Sequence, residues 1–223
     1  MIKHFERNTQ GRDFCVGDIH GMFTLLQTEL DKIGFDEVND RLFSVGDLVD
    51  RGPESEEFWD WLRKAWFHAV RGNHERLVID SVEQGETSNA SAIHAMNGGL
   101  WLYGLPKVEQ QCYAIEMSEL PLAIEVETED GLVGIIHAEC PQGDWDKFKQ
   151  SYLEPENEWE PVEAVAIWAR TKINKMDSQE VKGLYRLYVG HTPVNQVVVL
   201  GNVYYIDTGA CFKGGKLTIM KIN

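Results

Sequence analysis

Five short apolar runs along the chain predict five buried β-strands. The runs are three to five residues long and rich in β-branched and aromatic side chains. They lie at residues 14–16, 42–45, 67–70, 132–136 and 187–189. Runs of this kind, without a strict apolar and polar alternation, are typical of strands covered on both faces.

The segments between the first three strands have helical periodicity. A helix is predicted over residues 23–33, ending at Gly34, with one apolar face formed by Phe23, Leu26, Leu30 and Ile33. A second helix is predicted over residues 54–66, after Pro53, with an apolar face formed by Phe58, Trp61, Leu62 and Ala65. Strands alternating with helices predict an α/β fold.

The second half of the chain has a different pattern. Residues 141–165 are acidic and interrupted by prolines, so we predict a surface insertion rather than a core element. A helix is predicted after Pro161, with one apolar side formed by Val162, Val165, Ala166, Ala169 and Ile173.

The end of the chain is rich in β-forming residues. Residues 197–206 predict a hairpin, because two apolar runs flank a Gly201-Asn202 turn. A further strand is predicted over residues 216–222, and we expect these strands to form a second, antiparallel sheet.

Composition narrows the class of protein. The 223 residues predict a single domain over 1–223, and the net charge of −15 makes nucleic acid an unfavourable partner. No apolar run approaches a membrane span of roughly 18 residues, and the N-terminal residues resemble no secretory signal. Four scattered cysteines suggest free thiols, so we expect a cytoplasmic protein without membrane contact.

Polar residues with ligand chemistry follow each of the five predicted strands. In layered α/β folds, functional groups collect at the carboxyl ends of strands, so five strand ends could converge on one point. In chain order the residues are Asp18 and His20; Asp47, Asp50 and Arg51; Asn73 and His74; His137; and His191.

The types of these side chains predict a metal site. Oxygen and nitrogen donors without thiolate favour Mn²⁺, Fe or Zn²⁺, and the two oxygens of Asp47 could bridge two ions. Two ions would activate a water and neutralise an incoming phosphate. His74 could protonate a leaving oxygen with Asp50 as its partner, and Arg51 could bind phosphate oxygens.

Other polar and aromatic residues have simpler interpretations. His4, His68 and His94 are isolated in sequence, and we interpret them as structural or surface residues. Glu75-Arg76 is interpreted as a charge pattern at a helix start, and the tryptophans, Trp101 included, as packing residues.

Three blocks of sequence resemble a known family. They are GDIHG at 17–21, GDLVDRG at 46–52 and RGNHE at 71–75. They are similar to the signature blocks of the calcineurin-like metallophosphoesterases, in particular the phosphoprotein phosphatase branch. The similarity extends over nearly the whole chain to the small serine/threonine phosphatases of bacteria and of bacteriophage lambda.

This resemblance implies a fold and a set of roles. The fold would be a β-sandwich of two mixed sheets flanked by helices, with the active site at the strand ends. Asp18, His20 and Asp47 would hold one divalent metal. The second would be held by Asp47, Asn73, His137 and His191. His74 with Asp50 would act as the acid, and the phosphate would be bound by Arg51, Arg170 and Asn73.

The sequence also departs from the pattern of this family. Glu139 stands where relatives usually carry a small residue or an aspartate, and it could alter hydrogen bonds around the metal ligands. The insertion at 141–165 is expected to border the substrate groove.

The resemblance predicts a phosphatase with two divalent ions, Mn²⁺ in the first instance, acting on phosphoserine and phosphothreonine in proteins. Phosphotyrosine is an open alternative. Hydroxide bound by the metals would attack directly, since no arginine lies six residues after any cysteine to form a cysteine-dependent phosphatase loop.

Besides a phosphodiesterase or nuclease, which the acidic composition disfavours, two other functions remain open at this stage. One is hydrolysis of dinucleoside polyphosphates such as diadenosine tetraphosphate, whose enzymes share the same three blocks; they usually carry a longer C-terminal region than one ending at Asn223. The other is a scaffold that has lost catalysis, which the complete set of candidate ligands disfavours.

Overall fold

Two mixed β-sheets pack face to face and carry helices on their outer faces. The computed structural model describes residues 2–153 and 162–223. Its strands are β1 (Ile2–Phe5), β2 (Asp13–Val16), β3 (Arg41–Ser44), β4 (Phe67–Ala69), β5 (Ala123–Glu127), β6 (Leu132–Ile136), β7 (Arg186–Val189), β8 (Val198–Leu200), β9 (Val203–Tyr205) and β10 (Ile219–Lys221). Its helices are α1 (Phe23–Lys32), α2 (Phe58–Leu62), α3 (Asn73–Gln84), α4 (Asn89–Met96), α5 (Leu100–Tyr103), α6 (Lys107–Glu119), α7 (Trp145–Leu153), α8 (Val162–Trp168) and α9 (Thr171–Lys175).

Both sheets have a parallel centre. The four-stranded sheet has the order β10-β2-β3-β4, in which β2, β3 and β4 are parallel and β10 is antiparallel to β2. The six-stranded sheet has the order β1-β5-β6-β7-β9-β8, in which β6, β7 and β9 are parallel. This architecture confirms the predicted sandwich of two mixed sheets. None of the helices in the described ranges has both the length and the apolar character needed to cross a membrane.

The strands contribute to the core on both faces. Cys15, Phe43, Ile135 and Tyr188 pack between the two sheets. Their neighbours along the strands point outward. Phe14 packs with residues of α1, α2, α3, α5 and α6, and Ile136 packs with residues of α7 and α8. Burial of both faces explains why the strands read as short continuous apolar runs.

All five predicted strands and the hairpin turn at Gly201-Asn202 are present. The expected second, antiparallel sheet is wrong. The hairpin β8–β9 extends the six-stranded sheet through parallel pairing of β9 with β7, while β10 joins the other sheet. Local sequence specifies the hairpin, but the partner of its free edge is decided by tertiary packing.

Helix α1 confirms the first predicted helix, and two other helical predictions need correction. The segment 54–66 forms a 3₁₀ turn at Ser55–Glu57 and a short α2, because the Trp66 carbonyl accepts the Leu42 N–H and so belongs to the sheet. The helix predicted after Pro161 is broken into α8 and α9, with Arg170 at the junction.

The interpretation of residues 141–165 as a surface insertion is wrong for the described part. In α7 the side chains of Trp145 and Phe148 are fully buried against the six-stranded sheet. The indole Nε1–H of Trp145 donates to Glu125 Oε1 at 2.6 Å. Residues 154–161 lie outside the described residues. The segment 141–165 therefore includes a helix that contributes to the core, although its prolines and acidic residues are typical of a surface loop.

Several elements were not predicted. The helices α3 to α6 pack on one another between β4 and β5, with α3 contacting both α4 and α6. Strands β1 and β5 pair in parallel at one edge of the larger sheet. The two central residues of β1, Lys3 and His4, are polar and exposed, so the sequence of β1 contains no apolar run. This strand is recognised only from its pairing with β5.

An ion pair between the buried Asp40 and the partly exposed Arg12, next to β3, leads to a prediction about stability. Asp40 accepts hydrogen bonds from the Arg12 amide (2.7 Å), the Arg12 side chain and the Asp36 amide (2.9 Å). Burial opposes ionisation, but these hydrogen bonds outweigh it, so the pKa of Asp40 lies below its usual value. The stabilisation is therefore present above the pKa of the unfolded chain and is lost as pH falls through the folded value.

We expect Asp40→Asn to lower the free energy of unfolding at neutral pH by about 1–3 kcal/mol, as loss of charged hydrogen bonds does. The difference from wild type should shrink below about pH 4, where the carboxyl group begins to be protonated in the unfolded chain, and disappear once pH falls below the lower pKa of the folded state. Urea unfolding at several pH values measures this, with the exposed Asp130→Asn as the control. An equal difference at every pH would contradict the assignment.

Candidate metal centre and active site

The carboxyl ends of five strands carry all but one of the predicted site residues. Asp18 and His20 follow β2, while Asp47 and Asp50 follow β3. In the same way Asn73 and His74 follow β4, His137 follows β6 and His191 follows β7. Apart from the arginines these side chains are at most 5% exposed, so the structure brings them together as one buried polar cluster between the two sheets.

The backbone at this cluster is strained. Among the described residues, seven non-glycine residues have positive φ, and five of them belong to the predicted site: His20, Asp47, Asp50, Arg51 and His191. Such conformations are unfavourable for residues with a Cβ and persist where surrounding structure enforces them. Their concentration here is typical of a functional site.

Each of three histidines donates one ring N–H to a backbone carbonyl. His20 Nδ1 lies 2.9 Å from the Val49 oxygen, and His137 Nδ1 lies 2.7 Å from the Val45 oxygen. His191 Nε2 lies 3.2 Å from the Trp168 oxygen. Because a carbonyl can only accept, these nitrogens carry a proton, and the other nitrogen of each ring faces the cluster.

Two of these nitrogens converge on Asn73. His137 Nε2 and His191 Nδ1 lie 2.9 and 2.7 Å from Asn73 Oδ1. Burial lowers the pKa of His20 and His191 to about 3, which keeps both rings neutral and able to bind a metal. Buried nitrogen and oxygen atoms that converge in this way are suitable ligands for a divalent cation, so the residues present fit a metal site.

Asp47 is common to the two compact groups of potential ligands. One group is His20, Asp47 and His74, and the other is Asp18, Asp47 and His137; within each group the ligand atoms lie within 4.8 Å of one another. Burial would raise the pKa of Asp47, but the rings of His137 and His74 outweigh it and hold the pKa well below its usual range. Asp47 is therefore ionised and has one oxygen for each group. The grouping differs from the expected one, which paired Asp18 with His20.

His74 has one nitrogen bound and one free. Its Nδ1 lies 2.7 Å from Asp50 Oδ2, and its Nε2 is buried without a hydrogen-bond partner among the described residues. Burial lowers its pKa, but Asp47 and Asp50 outweigh this effect and raise it. A protonated ring with a free N–H facing the cluster is suited to donating a proton.

Two arginines lie at the edge of the cluster. Arg51 Nη1 donates to His20 Nε2 at 2.6 Å, and its guanidinium lies over the ring of the exposed Phe212. Arg170 precedes α9, and its Nη2 lies 3.4 Å from the His191 carbonyl oxygen. Both arginines are exposed, so both guanidinium groups are accessible to a ligand at the cluster.

A family model described as calcineurin-like phosphoesterase matches residues 14–219, which contain the whole cluster. The chain belongs to the calcineurin-like phosphoesterase family. Members of this family use a dinuclear metal centre, and the protein is a hydrolase.

Individual relatives of this phosphoesterase carry two kinds of name. It is 36% identical to serine/threonine-protein phosphatase 1 of Salmonella typhimurium (strain LT2), over 94% of this chain and 91% of the relative. It is 31% identical to the asymmetrical bis(5'-nucleosyl)-tetraphosphatase PrpE of Bacillus mycoides, over 91% and 87% of the two chains. A cold-active protein-tyrosine phosphatase of a psychrophilic Shewanella shares the fold, with a TM-score of 0.58 and 16% identity, over 100% of this chain and 77% of that chain.

Sequence patterns in this phosphoesterase did not reveal the residues around Asp50. His94 is fully buried, in agreement with a structural residue, and its Nε2 lies 3.0 Å from Asp50 Oδ1, a contact that the sequence did not predict. The indole of Trp101 donates to the same oxygen at 2.7 Å, which is more than packing. Hydrogen bonds from His74 and His94 outweigh burial and lower the pKa of Asp50 to about 2.

A further buried carboxylate was also missed. Asp207 follows β9 and is 3% exposed. Burial and the nearby Asp47 raise its pKa, and Asp18 has its own pKa raised by burial and by Asp207. Divalent cations would relieve this repulsion between carboxylates. The same strand-end rule that identified the other ligands could have identified Asp207.

Glu75 lies in the first turn of α3, as the helix-start pattern predicted, but it has a further role. It is fully buried and accepts the backbone N–H groups of Gly72, Asp47 and Leu48 at 2.7–3.0 Å. Burial and the charge of Asp47 raise its pKa to about 7. Glu75 therefore fixes the loop that carries Asp47 to the start of α3.

Glu139, two residues after His137, supports α9. Its Oε2 accepts the backbone N–H of Lys172 at 3.1 Å, in the first turn of that helix. Glu139 thereby anchors the segment that begins at Arg170.

Position 190, next to the cluster, has no room for a side chain larger than that of glycine. A Cβ at this position would lie 1.9 Å from Asp18 Oδ1, while the Asp18 carboxylate already accepts the His191 N–H. We expect Gly190→Ala to displace Asp18 and weaken Mn²⁺ binding about 10–100-fold, comparable to the loss of an outer-shell partner. Calorimetric titration of metal-free protein measures this.

The matched control is Gly104→Ala, whose Cβ would lie 3.4 Å from its nearest neighbour, the Trp101 oxygen, at a negative φ. This variant should bind Mn²⁺ as wild type does. Equal affinities of both variants would show that Asp18 does not contribute to metal binding.

Proposed function

We propose that this phosphoesterase is a metal-dependent protein phosphatase that hydrolyses phosphoserine and phosphothreonine monoesters, with phosphotyrosine as a further substrate. The observation that carries the proposal is the buried His74–Asp50 pair with its free Nε2. Serine and threonine alkoxides are poor leaving groups and depart as alcohols only when they receive a proton. An acid held in place at the cluster meets this requirement.

The roles of the other residues follow from their donor atoms. Asp18, His20 and Asp47 would hold one divalent ion, and Asp47, Asn73, His137 and His191 would hold the other. We propose Mn²⁺ for both, with Fe or Zn²⁺ also compatible with oxygen and imidazole ligands. When bound, the two ions supply positive charge to the phosphate and lower the pKa of the attacking water.

The residues of the chain itself orient the substrate and move a proton. Arg51 and Arg170 would bind non-bridging phosphate oxygens through their planar N–H groups, and Asn73 would help to position the phosphate. His74 Nε2–H would protonate the leaving oxygen as the bond between oxygen and phosphorus breaks, while Asp50 keeps the proton on Nδ1. Solvent would then reprotonate Nε2.

The choice of a phosphoprotein substrate rests on the relatives. The relative named as a protein phosphatase is more similar than the one named as a bis(5'-nucleosyl)-tetraphosphatase, at 36% against 31% identity. Because a relative named as a bis(5'-nucleosyl)-tetraphosphatase is also similar over most of the chain, dinucleoside polyphosphate hydrolysis is the alternative function.

A substrate comparison tests the proposal. Chelated protein is reloaded with Mn²⁺, Zn²⁺ or Fe²⁺ and assayed with p-nitrophenyl phosphate, a phosphoserine peptide, a phosphotyrosine peptide and diadenosine tetraphosphate. We expect Mn²⁺ to restore hydrolysis, with kcat/KM for the phosphoserine peptide above that for the dinucleotide. Preference for the dinucleotide would favour the alternative. Inactivity on every substrate with metals bound would favour a scaffold.

A further inference from the structure

Asp50 is held by donors on both of its carboxylate oxygens. Oδ2 accepts from His74 Nδ1 at 2.7 Å, whereas Oδ1 accepts from Trp101 Nε1 at 2.7 Å and from His94 Nε2 at 3.0 Å. Asp50, His74 and His94 are all fully buried. Because rotation of the carboxylate would break hydrogen bonds at both ends, its plane is fixed by these three partners.

The segment that carries His94 and Trp101, the two donors to Asp50 Oδ1, packs closely against the loop of Asp50. Gly98 has a φ of +99° and its carbonyl accepts the Arg51 N–H at 3.3 Å. Gly99 packs on the ring of His94, where a Cβ would lie 2.0 Å from Nε2. The two glycines allow α4 and α5 to present His94 and Trp101 to the same oxygen.

The far side of the His94 ring is fixed as well. Its Nδ1 lies 3.0 Å from the Tyr103 hydroxyl, and that hydroxyl lies 3.1 Å from the Ser91 carbonyl oxygen. The ring is therefore held at both nitrogens, and its orientation does not depend on Asp50 alone. A buried histidine placed only to fill space would not need polar partners on both sides.

We propose that His94, assisted by Trp101, is a positioning residue that acts through Asp50 on His74. By holding Oδ1 it keeps Oδ2 on His74 Nδ1, which aims Nε2 at the leaving oxygen. This inference rests on the proposed acid role of His74. It assigns to residues 94–101, outside the three signature blocks, a part in the reaction.

A double-mutant cycle tests the inference. His94→Leu removes the donor and should lower kcat for the phosphoserine peptide about 10–100-fold with KM unchanged, a part of the effect of removing a general acid. In a His74→Asn background the same change should have almost no further effect, because residues that act as a unit are not additive. His94→Gln, which retains an N–H donor, should recover most of the activity.

Three controls separate this role from a general structural one. His68→Leu removes a different, partly buried histidine that packs on Phe5 and Phe43, and it should leave kcat unchanged in both backgrounds. Trp101→Phe keeps the aromatic ring and should show a smaller loss of the same kind as His94→Leu. Bound metal should be equal in all variants.

Two kinetic results would overturn the inference. One is an equal loss of kcat from His94→Leu in both backgrounds, and the other is unchanged kcat in His94→Leu. Imidazole ¹⁵N NMR gives a readout that does not need turnover: His74 Nδ1 should be a protonated, slowly exchanging nitrogen in wild type and lose that signature in His94→Leu. An unchanged His74 signal would reject the positioning role even if the protein hydrolysed none of the substrates.

Discussion

His74→Asn is expected to lower kcat for a phosphoserine peptide by about 10²–10⁴-fold, the usual contribution of a general acid. Asparagine cannot release a proton, so the serine alkoxide would leave without one. Both metal ions should remain bound, because an acid contributes no ligand. Steady-state kinetics and metal analysis of the same preparation measure the two effects.

This variant also distinguishes the two roles that the position of His74 allows, proton donor and metal ligand. His74 lies within ligand distance of His20 and Asp47, so it could serve as a ligand instead of an acid. Loss of one metal in His74→Asn would identify it as a ligand, and unchanged turnover would remove it from the mechanism. The exposed His4→Asn on β1 is the control and should match wild type in both measurements.

Asp47→Asn is expected to weaken the binding of both metal ions. The loss of affinity should exceed about 10–100-fold, the usual effect of removing an outer-shell partner. Asp47 Oδ1 lies 3.4 Å from His137 Nε2 and Oδ2 lies 3.5 Å from His20 Nε2, so the carboxylate serves both groups of ligands. An amide offers one neutral oxygen in place of two charged ones. Activity should fall with metal occupancy.

Metal content after dialysis at defined free Mn²⁺ measures this prediction. The control is Asp60→Asn, because the Asp60 side chain is exposed on α2 and lies outside the cluster. Full occupancy of both ions in Asp47→Asn would contradict a bridging role. Loss of one ion alone would assign Asp47 to a single metal.

The sequence was sufficient for the parts of the fold that follow from local rules. Parallel strands buried on both faces leave apolar runs, and the residues directly after them lie at one edge of the sheet. The positions of Asp18, Asp47 and His191 along the chain were therefore enough to predict that they converge. The family resemblance supplied Arg170, which no periodicity identified.

The rest depends on contacts between distant segments. His94 lies 44 positions from Asp50, and an isolated histidine carries no local signal of such a partner. The burial of Trp145 and Phe148 depends on the face of β6 and β7 that they cover, not on their acidic surroundings. Glu75 next to Arg76 indicates only a helix start, and its contact with the Asp47 loop depends on the fold. In each case the role of the residue depends on its tertiary contacts, which its type and its neighbours in sequence do not specify.

Two ions in one buried cluster are the basis of the proposed hydrolysis of phosphate monoesters. The most direct measurement adds Mn²⁺ back to chelated protein in steps, and records bound Mn²⁺ and phosphate released from a phosphoserine peptide in the same samples. We expect activity to rise with occupancy and to reach its maximum at two ions per chain. Full activity without metal, or no hydrolysis with two ions bound, would contradict this mechanism.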